Sequence, residues 1–282
     1  MMHPSEGYFA TRDGTRLFYR TWEKSIASPN ACILIHGYGD HSGRYREFIE
    51  ALSDVPFAFY AFDLRGQGHS EGKRVFADSF AQYEEDCYDF LRFLEIDEEL
   101  RSKKFFLLGH SLGGLIALQA VLKDEGKWSG LVLSSPCFQL HGVSWSPLLR
   151  GLVKILNQVA PRFVMHNLVK PRYLFHDPEK MKAYLKDPLI ERKVTVHLAN
   201  EIARTCSASQ KRCDRLKIPV LVLASGNDRV VSLDATRAWF DHLQARDKTM
   251  ITYPDLYHEI FNEFDSKPIQ DLKKFFTSHA KG

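Results

Sequence analysis

Residues 104–123 have the sequence KFFLLGHSLGGLIALQAVLK. A short apolar run, typical of a strand buried on both faces, leads into the glycine-rich turn at 109–114, and an apolar helical segment follows. G-x-S-x-G between a strand and a helix is typical of a nucleophile elbow, a tight turn that exposes a serine hydroxyl above the sheet. The segment therefore predicts a nucleophilic Ser111, with Gly109 and Gly113 leaving room for the turn. The alternative is a glycine-rich turn that only binds phosphate.

Apolar runs of the same kind recur along the chain, and helical patterns lie between most of them. Such runs are typical of strands in a parallel sheet, because helices cover both of its faces. Before them, polar and apolar residues alternate around Asp13-Gly14, a favoured hairpin turn. The sequence therefore predicts an α/β fold with a mainly parallel central sheet flanked by helices. The runs are residues 31–37, 56–63, 104–110, 129–136, 219–226 and 248–254.

One long segment interrupts this alternation. Between residues 136 and 219 we find no convincing strand pattern, only helical patterns at 147–160, 177–185 and 195–213. A crossover helix needs far fewer residues, so we expect a helical cap inserted after the sixth strand. The alternative is a large but inert crossover. The predicted division is 1–138 for the first part of the core, 139–216 for the cap segment and 217–282 for the second part of the core.

A serine nucleophile needs a base, and the base needs an acid that orients it. After an elbow of this kind the chain order is serine, then acid, then histidine. Asp228 is the predicted acid because it directly follows the run at 219–226. The alternatives are an ordinary turn residue there, Asp234 at the start of the next predicted helix, and Asp255, only three residues before the predicted base.

His258 is the predicted base because it follows the last apolar run, at 248–254. His242 lies within a helical pattern and His279 lies near the end of the last predicted helix, so neither is well placed. His110 is adjacent to Ser111, and neighbouring side chains at such a turn point apart.

The oxyanion formed during acyl transfer needs two backbone N–H donors. One is expected from Leu112, the residue after the nucleophile, and the other from the loop that follows an earlier strand. Residues 36–39, His-Gly-Tyr-Gly, follow the run at 31–37, and we expect the Tyr38 N–H as second donor, with Gly37 and Gly39 giving the loop its flexibility. The alternative is a plain strand-to-helix turn.

Six segments, spread over nearly the whole chain, occur in a characteristic order. They are HGYGDHSGRY (36–45), FDLRGQGHS (62–70), GHSLGG (109–114), DPL (187–189), GNDRVV (226–231) and YHE (257–259). Taken together, these segments closely resemble the monoacylglycerol lipase and lysophospholipase branch of the α/β-hydrolase superfamily. The resemblance implies the α/β-hydrolase fold, a Ser111–His258–Asp228 triad, and hydrolysis of a single-chain acyl ester through an acyl-enzyme, with the acyl tail under the cap.

Other functions compatible with such a triad remain open. They are a thioesterase, an acyltransferase and a proline iminopeptidase. The peptidase would be expected to carry acidic cap residues that hold a free amino terminus, and this cap segment has few. A non-catalytic binding protein of the same fold is a remote alternative, because such proteins usually lack a triad member and all three are present here.

Composition restricts cofactors, partners and location. Neither a G-x-G-x-x-G nor a P-loop occurs, and no His/Cys/Asp spacing suggests a metal, so we expect no cofactor and no metal. The apolar runs are too short to span a membrane. Residues 1–9, MMHPSEGYF, have no basic flank and no long apolar stretch, so we expect no secretory signal there. Five cysteines without C-x-x-C spacing fit a reducing compartment. We therefore expect a cytoplasmic protein whose cysteines mainly fill the core, although Cys206 and Cys213 share one predicted helix face.

The charge is unevenly distributed. The net charge of +3 argues against nucleic-acid binding. Residues 141–215, however, carry fourteen Lys and Arg against six Asp and Glu, a net +8, so the rest of the chain carries −5. A basic, partly apolar cap segment predicts peripheral contact with an anionic membrane or micelle that presents a lipid-like acyl ester. The alternative is a solvated charged face. The sequence gives no indication of the oligomeric state.

Overall fold

The fold is built on one central sheet in the computed structural model, which describes residues 4–22, 28–141, 147–167, 169–212 and 215–280. The strands of these residues are β1 (Ser5–Ala10), β2 (Arg16–Trp22), β3 (Asn30–Ile35), β4 (Phe57–Phe62), β5 (Lys104–His110), β6 (Gly130–Ser134), β7 (Val164–His166), β8 (Lys193–Thr195), β9 (Arg215–Leu216), β10 (Val220–Ser225), β11 (Gln244–Ala245) and β12 (Lys248–Tyr253).

Eight of these strands form the central sheet, in the order β1-β2-β4-β3-β5-β6-β10-β12. β1 and β2 form the predicted antiparallel hairpin, and β2 is also antiparallel to β4. Every other neighbouring pair is parallel. The predicted α/β fold with a mainly parallel sheet is therefore confirmed.

Helices cover the two faces of the sheet. The helices of the described residues are α1 (Arg46–Ala51), α2 (Ala81–Leu94), α3 (Glu98–Arg101), α4 (Leu112–Lys123), α5 (Pro147–Val159), α6 (Pro178–Lys186), α7 (Val196–Ser209), α8 (Leu233–His242) and α9 (Lys267–His279). β3 and β4 are buried along their whole length, since one core cluster includes α2 and α4 and the other includes α1 and α9. Burial on both faces is why these strands are apolar without alternation.

The cap segment is mainly helical, as expected, but the expectation that it contains no strand is wrong. β7 pairs antiparallel with β8, and the two-residue β9 pairs with β11. Strands of two or three residues are too short to show a period in the sequence. The helix expected at 195–213 ends at Ser209, and Cys213 lies outside the described residues. The division at 139–216 stays a prediction.

The parallel strands end at one edge of the sheet. The residues predicted to act in catalysis all follow such ends: Tyr38 follows β3, Ser111 follows β5, Asp228 follows β10 and His258 follows β12. Clefts beyond the carboxyl ends of parallel strands are where ligands bind in open α/β sheets. The fold therefore gathers residues far apart in sequence at one place.

Candidate active site

Ser111 lies at the sharp turn between β5 and α4. Its backbone has φ 53° and ψ −116°, an unfavourable conformation for a residue with a side chain. Hydrogen bonds hold it from both sides: the Ser111 N–H donates to the Ser134 carbonyl at 2.9 Å, and the Cys137 N–H donates to the Ser111 carbonyl at 3.0 Å. The turn expected from the glycine-rich motif is thus present and is fixed by the end of β6.

Two glycines make this turn possible. A Cβ atom at Gly113 would overlap the Ile35 carbonyl of β3, and a Cβ atom at Gly109 would overlap the Gly113 carbonyl. Both obstacles are backbone atoms and cannot rotate away. Any other residue at either position would push α4 away from the sheet.

Ser111, His258 and Asp228 form a continuous hydrogen-bonded chain. His258 Nε2 lies 2.9 Å from Ser111 Oγ, and His258 Nδ1 lies 2.8 Å from Asp228 Oδ2. The other carboxylate oxygen of Asp228 accepts the N–H groups of Val230 at 2.7 Å and Val231 at 2.9 Å. His258 and Asp228 are both buried. The structure therefore brings the three predicted residues together in the order that proton transfer from a serine requires.

The electrostatics of this chain follow from burial and pairing. Burial by itself would lower the pKa of His258, but the Asp228 carboxylate raises that pKa above its ordinary 6.5. Burial would raise the pKa of Asp228, but His258 and the N–H groups of Val230 and Val231 lower it below its ordinary value. Asp228 is therefore ionised at neutral pH and stabilises a protonated His258.

The two predicted oxyanion donors are available. Among the hydrogen bonds of the described residues, neither the Tyr38 N–H nor the Leu112 N–H has an acceptor. Both residues line the same cavity as Ser111. The loop also passes close to the serine, since a Cβ atom at Gly37 would lie 3.4 Å from the Ser111 Cβ. A negatively charged oxygen in front of Ser111 would thus find free donors.

The cap segment holds the loop that carries Tyr38. The Glu191 N–H donates to the Gly39 carbonyl at 2.9 Å, and the Tyr38 hydroxyl donates to the Lys193 carbonyl at 2.6 Å. Gly39 has φ 72°, and a Cβ atom there would overlap the Glu191 carbonyl. The position of the expected oxyanion donor therefore depends on the cap segment.

A cavity of about 600 Å³ lies in front of Ser111, between the core and the cap segment. Most of its lining is apolar. Among the described lining residues none is Asp or Glu. Such a cavity suits an apolar chain attached to an ester more than a cationic group. The apolar side chains that the cap segment contributes are Leu140, Val153, Leu156, Met165, Val169, Val194, Val196, Ala199, Ile202 and Ala203.

A buried ionic cluster lies behind the triad and was missed by sequence reasoning. Glu259 Oε1 lies 3.4 Å from His110 Nε2 and 4.0 Å from Arg44 Nη1, and Arg44 Nη1 lies 3.1 Å from Asp40 Oδ1. Burial would raise the pKa of Glu259, but His110 and Arg44 hold it well below its ordinary 4.5. The signal in the sequence that could have indicated this cluster is that His110 and Glu259 are next to Ser111 and His258.

The other residues considered as the acid or the base are not part of this hydrogen-bonded chain. Asp234 is exposed in the first turn of α8, and Asp255 is exposed in the turn after β12. His242 Nδ1 contacts the Ala238 carbonyl within α8, and His279 pairs with Asp247 at 3.0 Å. None of these four has a hydrogen bond to Ser111 among the described residues.

Within the ranges that the structure describes, no group of three or more His, Cys, Asp or Glu is arranged to hold a metal ion. In the same ranges, no helix combines the length and apolar character needed to cross a bilayer.

Similarity to known proteins extends over most of the chain. The model of the serine aminopeptidase S33 family matches residues 27–265. The chain is 31% identical to the monoacylglycerol lipase of Mycolicibacterium smegmatis over 98% of each chain. It is 30% identical to the phospholipase YtpA of Bacillus subtilis over 91% of this chain and 98% of that one. The crystal structure of Paleococcus ferrophilus monoacylglycerol lipase has a TM-score of 0.81 at 28% identity, covering 99% of this chain and 100% of that one. All three triad positions fall within the matched residues.

Proposed function

Because the chain belongs to the monoacylglycerol lipase branch of the α/β-hydrolase superfamily and is a lipid ester hydrolase, we propose that it cleaves single-chain acyl esters of the monoacylglycerol or lysophospholipid type. The observation that carries the proposal is the hydrogen-bonded chain Ser111–His258–Asp228 at the wall of an apolar cavity. The cavity accepts one acyl chain, and the triad supplies the nucleophile.

The proposed mechanism has two halves. Ser111 Oγ attacks the ester carbonyl while His258 Nε2 takes its proton, and Asp228 holds the His258 Nδ1–H tautomer. The N–H groups of Tyr38 and Leu112 stabilise the oxyanion. His258 then gives the proton to the departing alcohol, which leaves Ser111 acylated. Water attacks the acyl-enzyme with His258 as base, releasing the fatty acid and restoring the serine hydroxyl.

The cavity lining favours an ester substrate over a peptide. A peptidase that binds a free amino terminus needs a carboxylate close to the scissile bond. Asp and Glu are missing from the described residues that line the cavity, as noted above. The residues that line the cavity favour neither a thioesterase nor an acyltransferase over an ester hydrolase. Assays on the corresponding substrates distinguish these three activities.

The polar residues of the cavity favour a phosphate-bearing head group as the second candidate substrate. Arg229, His141 and His166 line the cavity, and all three are exposed. The Arg229 guanidinium also lies 6.0 Å from the Tyr173 ring. A guanidinium binds phosphate well, and neutral glycerol gains little from it. This arrangement supports a lysophospholipid beside monoacylglycerol.

We also propose peripheral contact with an anionic membrane or micelle through the cap segment. Ile155 and Val159 lie one turn apart on α5 with 59% and 74% of their surface exposed, and Phe163 follows with 59%. Lys154 and Arg162 are exposed beside them. Apolar side chains with flanking cations are typical of a surface that rests on anionic lipid.

Vesicle sedimentation tests the membrane contact. We expect binding to phosphatidylglycerol vesicles that weakens as salt is added, and weaker binding of Phe163→Glu. Ile96→Glu is the matched control, since Ile96 is 74% exposed and lies outside the cap segment. Equal binding of the two variants would contradict the proposed surface.

A substrate panel tests the enzymatic proposal. The protein is assayed on monoacylglycerols, lysophosphatidylglycerols, acyl thioesters and an aminoacyl amide of matched chain length, and with a fluorophosphonate probe. We expect turnover of the oxygen esters and labelling of Ser111. Ser111→Ala should lose both while staying folded, and Ser53→Ala, a change at an exposed turn after α1, should keep both. Amide cleavage without ester cleavage would refute the proposal, as would unchanged ester turnover by Ser111→Ala.

A further inference from the structure

Two cysteines from distant parts of the chain meet in the cavity wall. Cys137 follows β6 in the core, and Cys206 lies on α7 of the cap segment. Their sulfur atoms are 4.0 Å apart, although 69 residues separate them in sequence. Both are almost fully buried, yet both line the cavity in front of Ser111. A small reagent that enters the cavity therefore reaches both sulfur atoms.

The hydrogen bonds around the pair favour reaction between the two thiols. The Cys206 thiol donates to the Cys137 carbonyl at 2.9 Å, which holds its sulfur beside Cys137. The neighbouring Cys206 thiol lowers the pKa of Cys137 below its ordinary 9.0, although burial opposes this. A thiolate is the form that attacks an oxidant.

Two other buried cysteines, Cys32 and Cys87, differ from this pair in pKa and in access to the cavity. Burial raises the pKa of Cys32 and of Cys87 far above the ordinary value. Neither residue lines the cavity. They fit the core-filling role expected from the sequence, whereas Cys137 and Cys206 have both a thiol partner and access to the cavity.

We propose that Cys137 and Cys206 form an oxidisable dithiol, which a peroxide entering the cavity converts into a disulfide between the core and the cap segment. The Cys137 thiolate attacks one peroxide oxygen and becomes a sulfenic acid, and the other oxygen leaves as water. The Cys206 sulfur then attacks the sulfenic sulfur, which releases a second water and forms the S–S bond. Two electrons pass from the thiols to the peroxide, and both thiol protons end in water.

The position of the pair connects this bond to the active site. A disulfide measures about 2.05 Å between sulfurs, so the two sulfur atoms must approach by about 2 Å. The Cys137 N–H is bonded to the carbonyl of Ser111 itself. The bond would therefore fasten α7 to the elbow and reshape the cavity wall, and a displacement near 1 Å at a catalytic group lowers turnover by up to about 100-fold.

Peptide mapping tests the proposal directly. The purified full-length protein is treated with hydrogen peroxide, its free thiols are alkylated, and it is digested without reductant. We expect one cross-linked peptide pair joining Cys137 to Cys206, removed by dithiothreitol, with Cys32 and Cys87 alkylated only after unfolding. The variant Cys206→Ser should give no cross-link, and Cys87→Ala should give the wild-type cross-link. Free thiols at both positions after treatment would overturn the proposal.

Activity gives the second measurement. Peroxide should lower hydrolysis of a long-chain ester by about tenfold, and dithiothreitol should restore it. The variant Cys206→Ser should lack the part of this reversible inhibition that comes from the disulfide. A cross-linked protein with unchanged turnover would overturn the connection to the active site. The inference is separable from the proposed function, because Ser111→Ala should form the same cross-link whether or not Ser111 is the nucleophile.

Discussion

Glu259 Oε1 lies 3.4 Å from Nε2 of His110, so the residue after His258 faces the residue before Ser111 inside the protein. Arg44 approaches the same carboxylate at 4.0 Å. The turns that carry Ser111 and His258 are thereby connected to each other through the residues next to them in sequence. The triad geometry consequently depends on a second set of charges that does not touch the serine hydroxyl.

The variant Glu259→Gln tests this anchoring. It keeps the shape of the side chain but removes the negative charge that faces Arg44 and His110. Removing one partner of a buried ionic cluster costs about 3 kcal/mol, and urea unfolding at pH 7 measures the loss. Glu99→Gln, at an exposed position of α3, should change stability very little.

The same variant has a defined pH dependence. The pKa of Glu259 is below its ordinary 4.5 in the folded protein, so its contribution to stability is fully present above about pH 4.5. That contribution is lost as the pH falls towards the folded pKa. The stability difference between wild type and Glu259→Gln should therefore shrink below pH 4.5. A difference that stayed constant as the pH was lowered from 5 to 3 would show that the charge of Glu259 contributes nothing.

The pH–rate profile of the wild type tests the role of His258. His258 must be neutral to accept the serine proton, and Asp228 raises its pKa above 6.5. Ester hydrolysis should therefore increase with pH, and the midpoint of the acidic limb of kcat/KM should lie above 6.5. A limb centred at or below 6.5 would contradict the proposed base.

The variant Asp228→Asn tests the acid. It removes the charge that raises the pKa of His258 and favours the wrong imidazole tautomer, so kcat should fall by about 10⁴-fold and the residual acidic limb should move to lower pH. Asp234→Asn in the first turn of α8 is the matched control and should keep wild-type turnover. The comparison is made on a p-nitrophenyl ester, with circular dichroism to show that both variants fold.

The variant Gly39→Ala tests the loop that carries Tyr38. Alanine at this position must adopt a φ of 72° and overlaps the Glu191 carbonyl, so the loop must move. Displacing one oxyanion donor lowers kcat by about 10²-fold. Gly14→Ala is a matched control because Gly14 has a φ of 83° with no atom within 4 Å of the added Cβ. It should cost only about 1 kcal/mol of stability and leave kcat unchanged.

Much of the fold could be predicted because its strands are local patterns. The run before Ser111 is apolar on both faces since one face of β5 packs in the core cluster that includes α2 and α4, and the other face in the cluster that includes α1 and α9. The strand pair β7–β8 could not be found in the same way. All three residues of β7 are exposed, so hydrophobicity imposes no period on them.

The three residues of the proposed triad could be selected from the sequence because each follows a predicted strand and their order along the chain is fixed for this topology. The structure joins them by hydrogen bonds. No comparable rule identifies the cluster around Glu259 from the sequence. Its contact with His110 joins two residues nearly 150 positions apart, and only the assembled sheet brings them together. The approach of Cys206 to Cys137 likewise depends on how α7 packs on the core.

The hydrogen bonds between residues 38–41 and residues 187–193 also limit how the cap segment can be exchanged. Glu191 holds Gly39, Lys193 accepts from Tyr38, and Asp187 lies 2.9 Å from His41. A chimaera that takes its acyl-binding helices from a relative would keep its catalytic rate only if residues 187–193 stayed with the parent loop. For engineering, residues 187–193 therefore belong with the core that carries Ser111, and the acyl-binding helices of the cap segment are the part that can be replaced.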